Sequence, residues 1–107
     1  MVRYFFSLPD ETKSKYEIQG LAGQRGYTSF GKEHAKGSKV ADLKEFFHVG
    51  QSRNNEYPAS HAYPANIFPE EVPELEVYGV KTFGLLEQAA VSMLRAIALY
   101  LSLDEFY

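Results

Sequence analysis

Residues 73–101, PELEVYGVKTFGLLEQAAVSMLRAIALYL, decide the architecture. Apolar side chains recur at Leu75, Tyr78, Phe83, Leu86, Ala90, Met93, Leu94, Ile97 and Leu101. That three-and-four spacing predicts one long helix with a continuous apolar face. Pro73 ahead of Glu74 and Glu76 is a start signal, because proline suits a first turn and acids suit its positive end. Gly79 and Gly84 each cost roughly 1 kcal/mol against Ala in a helix interior, so they mark close packing or a bend. From Ala89 onward the apolar positions spread round the helix, with Val91, Ala96, Ala98, Leu99 and Tyr100 joining the stripe. A helix apolar on most sides expects cover on most sides. The helix is therefore expected to determine stability, with Leu94 and Ile97 among its most buried residues. The remainder of so short a chain can barely cover it, so a homo-oligomer or a missing catalytic domain is expected to complete the burial.

Working upstream, residues 50–73 hold four of the five prolines (Pro58, Pro64, Pro69, Pro73) and read as an irregular, wrapping segment. Residues 27–30 and 45–49 are rich in aromatic and branched side chains and read as two short strands, paired antiparallel. The Lys- and Gly-containing stretch 31–39 is a solvated loop between them. A helix is expected over 9–18, with Ser7 as N-cap and Gly20 as its stop. Residues 1–8 read as the end of a helix or an unsupported arm. The predicted fold class is α+β: a short N-terminal helix, a two-stranded antiparallel pair, a Pro-rich irregular segment and a long C-terminal helix. Residues 1–107 form a single domain.

Composition narrows the function. Hydrophobic residues make up 45% of the chain and aromatics 15%, which argues against disorder. The absence of cysteine excludes disulfides and thiolate metal sites and suits a cytoplasmic setting. No uninterrupted apolar run reaches the roughly 18 residues of a membrane span, so no membrane partner is expected. The N-terminus lacks the plan of a signal peptide. A net charge of −3 gives no footprint for nucleic acid. Residues 1–53 carry nine Lys/Arg against six Asp/Glu, and residues 54–107 two against eight. This asymmetry is read as two solvated faces.

Four short motifs then stand in a fixed order: Phe5-Phe6-Ser7-Leu8-Pro9-Asp10-Glu11-Thr12-Lys13, Arg25-Gly26-Tyr27, Asp42-Leu43-Lys44-Glu45-Phe46-Phe47-His48 and Asn66-Ile67-Phe68-Pro69. Together they resemble the N-terminal region of the isopenicillin N synthase-like family of Fe(II)- and 2-oxoglutarate-dependent oxygenases. The resemblance runs from about Phe5 to Tyr107. It implies a truncated N-terminal accessory domain that lacks the family's jelly-roll core. Fe(II) and 2-oxoglutarate are implied for intact relatives, and no cofactor is expected in this chain.

The residues agree with that expectation. None of His34, His48 and His61 begins a His-x-Asp or His-x-Glu pair, and no Arg-x-Ser pair of the family's co-substrate type is present. No catalytic or metal-binding residue is therefore assigned. Gly20, Gly23 and Gly26 do not form a phosphate cradle, since they precede a strand and no Gly-Lys-Ser/Thr follows. Asp42 and Glu45 read as a turn cap and a partner for a lysine. Arg25 and Tyr27 are the candidates for a substrate rim, because in relatives the Gly-Tyr strand borders the active-site mouth. The competing reading makes Arg25 a surface residue and packs Tyr27 on the sheet. The expected function is a structural and substrate-rim segment of an oxygenase-like protein, not catalytic alone. The rivals are a free-standing self-associating interaction protein and one half of a two-chain oxygenase.

Overall fold

The structure, a computed structural model, describes residues 1–32, 36–51 and 63–107. His34, His61 and much of the Pro-rich segment lie outside the described residues. The elements run α1 (Val2–Phe6), α2 (Asp10–Ser14), β1 (Gly26–Thr28), β2 (Phe46–His48) and α3 (Glu74–Tyr100). Short helices, an antiparallel pair and one long C-terminal helix match the expected α+β class.

The N-terminal residues are a cornerstone rather than an arm. Phe5, at the end of α1, is 1% exposed. Its ring meets Phe6, Tyr16, Tyr27 and Phe47 edge-on, with centroids 5.1–6.5 Å apart, the geometry that aromatic quadrupoles favour. Ser7 does not cap the second helix. It ends α1, and its Oγ donates to the Tyr4 carbonyl at 2.6 Å. Pro9, with φ −56°, precedes α2, and its carbonyl accepts from both Thr12 N and Lys13 N in the first turn.

α2 stops at Ser14, well short of residue 18, because the backbone beyond it is needed elsewhere. The Tyr16 carbonyl accepts from Tyr27 N at 2.9 Å, and Glu17 bridges to Gly26, so this stretch borders the sheet. Gly26 makes the approach feasible. Its φ is +72°, and a Cβ there would sit 2.3 Å from the Tyr16 carbonyl oxygen, where no side chain fits. β1 and β2 pair antiparallel in the register Gly26↔His48, Tyr27↔Phe47 and Thr28↔Phe46.

The irregular Asn66-Ile67-Phe68-Pro69 segment closes the far end of β2. The Asn66 amide accepts from Gly50 N at 2.9 Å and donates to the Gly50 carbonyl at 2.8 Å, doing for the backbone what a third strand would do. Pro69 and Val72 are buried, and Val72 joins Phe5, Tyr27 and Leu75 in the core.

α3 has 27 residues and is about 40 Å long at 1.5 Å per residue. Leu75 is buried in its first turn. Gly79 marks close packing, as predicted: a Cβ there would touch Val49 and Phe68 at 3.5 and 3.7 Å. Gly84 faces open space, and no packing explains it. Beyond it the expectation of burial fails. Leu94 is 63% exposed and Ile97 50%, and Leu85, Leu86, Val91, Met93 and Leu99 are exposed too. The physical reason is geometric: the small core meets α3 only near its start, and an apolar composition cannot create a partner. The radius of gyration is 17.1 Å, against about 13 Å for a compact chain of 100 residues. Reading uninterrupted apolar runs also misses that α3, by length and composition alone, is apolar enough to cross a membrane.

The helix ends in a Schellman motif. Leu103 N donates to the Ala98 carbonyl and Ser102 N to that of Leu99, with Ser102 at φ +58°. Arg95 then pairs with Glu105 and lies 4.8 Å from the centre of the Phe106 ring, holding the last residues against the helix.

Candidate functional site

Of the two sequence candidates Tyr27 lies on β1 and Arg25 just before it, and the strand separates two polar arrangements. Inward lies a buried cluster. Lys13, on α2, is 3% exposed. Its Nζ reaches Glu45 Oε2 at 2.7 Å, Asp10 Oδ1 at 3.3 Å and the Phe6 carbonyl at 3.4 Å. The Tyr27 hydroxyl donates to the same Glu45 Oε2 at 2.6 Å. The expectation that Glu45 pairs with a lysine holds, and the partner is Lys13, 32 residues earlier. The Glu45 hydrogen bond raises the Lys13 pKa above its ordinary value, against the lowering effect of burial. Burial, then the Glu45 contact, push the Tyr27 hydroxyl up to about 12. Each proton is thus held where it is. The cluster ties α2 to β1 and to the start of β2.

Arg25 is not a surface residue. It is 8% exposed, and its guanidinium donates to the Gln24 carbonyl at 2.7 Å and the Gln51 carbonyl at 3.3 Å. The group lies flat on Gly50, where a Cβ would come within 2.2–2.5 Å of it. Its Nε is buried without a hydrogen bond among the described residues. The structure does not bring Arg25 and Tyr27 to one site. The Tyr27 hydroxyl points into the Lys13 cluster, and the Arg25 guanidinium sits over the end of β2.

On the other side of β1 is an open cleft of about 270 Å3, between residues 17–23 and the strand pair. Its walls include Glu17, Gln19, Gly23, Thr28, Lys32 and Phe46. The Glu17 carboxylate is already occupied, accepting from Ser29 N at 3.1 Å and Ser29 Oγ at 3.0 Å. His48 Nδ1 contacts the Gly23 carbonyl and ties the turn to β2. Thr28 is 7% exposed, and its hydroxyl is buried without a partner among the described residues. Sequence reading passed over Thr28. The alternation of a strand would have found it, since the neighbour of an inward Tyr27 faces the other way.

Among the described residues no three His, Cys, Asp or Glu converge to hold a metal ion. The described donor set therefore does not fit the iron implied by the family resemblance.

Three comparisons bear on this arrangement. A family model described as "non-haem dioxygenase in morphine synthesis N-terminal" matches residues 1–71. Validamycin A dioxygenase of Streptomyces hygroscopicus subsp. limoneus is 32% identical, the match covering 95% of this chain and 29% of that protein. A crystal structure of a protein assigned to the 2OG-Fe(II) oxygenase family, from Caulobacter crescentus, superposes with a TM-score of 0.79 at 36% identity. That match covers 96% of this chain and 33% of the other. The chain thus spans about a third of the length of these relatives.

Proposed function

Since the chain belongs to the non-haem dioxygenase N-terminal family, we propose that it is the accessory segment of an Fe(II)- and 2-oxoglutarate-dependent oxygenase. It buttresses a catalytic core through α3 and supplies one wall of the substrate pocket around β1, where Arg25 and Tyr27 stand. The observation that carries this reading is the distal half of α3, apolar and exposed from Leu85 to Leu101, alongside relatives three times as long. Apolar patches of that extent mark interfaces. The reading gives α3 a protein partner rather than a membrane or nucleic acid, and a cytoplasmic setting. The oxidation itself belongs to residues outside this chain, so the isolated chain is expected to bind neither Fe(II) nor 2-oxoglutarate.

The test is a domain exchange. This chain replaces the matched third of the Caulobacter crescentus protein. The chimera is expected to fold and to bind Mn(II) and 2-oxoglutarate by anaerobic calorimetry, while the isolated chain gives no heat with either. An insoluble chimera, or one metal bound per isolated chain at micromolar affinity, overturns the reading.

The same exposed face favours a second reading, self-association of the chain when no core covers it. Sedimentation at micromolar concentration separates the two: a species of 12.1 kDa means that self-association does not occur.

A further inference from the structure

β2 has a free edge. On the far side of β1, Tyr27 N donates to the Tyr16 carbonyl at 2.9 Å, so the Tyr27 main chain turns away from β2. Opposite residues in an antiparallel ladder alternate between bonded and non-bonded pairs. Tyr27↔Phe47 is therefore a non-bonded pair, flanked by Gly26↔His48 and Thr28↔Phe46. The Phe47 N–H and C=O accordingly point away from β1, and among the described residues nothing bonds to them. Asn66 holds the Gly50 main chain, which marks where the free stretch ends. Proteins blunt such edges with lysine, proline or a bulge, and β2, Phe46–His48, contains none of these.

An apolar groove of about 270 Å3 lies beside this edge. Phe47 and Val49 form its sheet wall, and Leu75, Tyr78, Phe83 and Leu86 of α3 form the other. No charged side chain lines it. Main-chain donors and acceptors next to an apolar slot are the combination by which a sheet edge takes up an extended segment. Alternate side chains of such a segment enter the slot while the others point out. Leu86 lines the groove and also lies within the exposed stretch Leu85 to Leu101. A surface that covers α3 is thus continuous with the edge of β2.

We propose that the free edge of β2 receives a strand of the catalytic core, with apolar residues at alternate positions filling the groove. The inference rests on reading the chain as an accessory segment, and it adds the means of attachment: main-chain pairing at Phe47 beside side-chain packing on α3. The chain spans about a third of its relatives, so an intact protein of that length has ample chain to supply the strand.

The experiment uses the isotopically labelled full chain and a strand probe, the capped pentapeptide acetyl-Thr-Val-Thr-Val-Thr-amide. With its valines in the groove, the valine opposite Phe47 turns its N–H and C=O toward β2. At millimolar peptide, the Phe47 amide resonance is expected to shift and its deuterium exchange to slow about tenfold or more, while the amides of residues 91–101 stay in place. Methylating both valine nitrogens removes the edge donors, keeps the apolar side chains and is expected to abolish the response. Leu86→Asp weakens the response about tenfold, as the loss of one apolar contact does. Leu85→Asp, equally exposed but outside the groove, keeps it. No response at Phe47, an equal response to the methylated peptide, or an undiminished response in Leu86→Asp overturns the proposal. So does a Phe47 amide already protected without peptide and freed on dilution, because a second copy then holds the edge. If Leu86→Asp fails to fold, the two peptides still decide. The chimera reports whether the chain accepts a core and the peptide whether β2 accepts a strand, so the two readings fail separately.

Discussion

The two ends of α3 are apolar to different degrees, the distal end more so, and their surroundings run the opposite way. Leu75 in the first turn is 7% exposed, and Leu94 in the sixth is 63% exposed. The proximal end rests on the strands through Gly79, Val49 and Phe68. Among the described residues, the distal end is held by the hook of Glu105 and Phe106 on Arg95. An apolar stripe states what a helix needs, while burial depends on whether another surface reaches it.

The largest expected effect contrasts the core with the distal helix. Phe5→Ala should cost about 3–5 kcal/mol, as deletions of buried aromatics do. Leu94→Ala should stay within about 0.5 kcal/mol, as exposed changes do. Urea melts at one fixed protein concentration make the comparison, since association moves the midpoint. Equal losses would show that a second copy covers the distal face.

Next is the polar counterpart of the core. Lys13→Met leaves the Glu45 carboxylate buried without its cation. Breaking a buried pair from one side costs about 3–5 kcal/mol. The residual hydrogen bond from Tyr27 places this variant at the low end, about 3 kcal/mol. A melt unchanged from the parent would show that the cluster does not hold α2 to the sheet.

Raising the pH tests the same cluster without mutation. Both the Lys13 and Tyr27 pKa values are raised, Tyr27 to about 12. Each group therefore holds its proton more tightly folded than unfolded. Stability is fully present below about pH 10 and falls as the pH climbs toward 12. The Tyr27 share, near two pKa steps, is roughly 2–3 kcal/mol. Melts from pH 9 upward in Tyr27→Phe should be flatter than in the parent; parallel curves would contradict the assignment.

The smallest effect lies at the far tip. Ser102 holds φ +58° in the Schellman motif, a conformation that costs a non-glycine residue about 1 kcal/mol. Ser102→Gly should stabilise by about that amount if α3 unfolds with the core. If helicity rises in circular dichroism while the denaturant midpoint stays fixed, the distal half frays independently.

Much of this was legible in the sequence. Period-3.6 patterning located α3 within a residue at each end, and aromatic and branched runs gave both strands and their pairing. What escaped depended on contacts remote in sequence. The nine residues of 1–9 contain a single helical turn, too short for periodicity to declare, yet Phe5 is the hub of the core. α2 ends early because Gly26 recruits the Tyr16 carbonyl, a demand invisible within α2 itself. Arg25 is buried because Gly50 makes room for it, and Thr28 was overlooked beside a larger aromatic neighbour.

Gly26 has a consequence for inheritance. Every single-base change to a glycine codon that alters the residue either stops the chain or adds a Cβ. At this position any Cβ meets the Tyr16 carbonyl oxygen at 2.3 Å and an unfavourable φ of +72°. No point mutation therefore leads away from glycine by a tolerable step, and a library of all single variants should be depleted at codon 26 as thoroughly as at Phe5. The codon is fixed by a main-chain oxygen ten residues away, which no substitution elsewhere can shorten or remove.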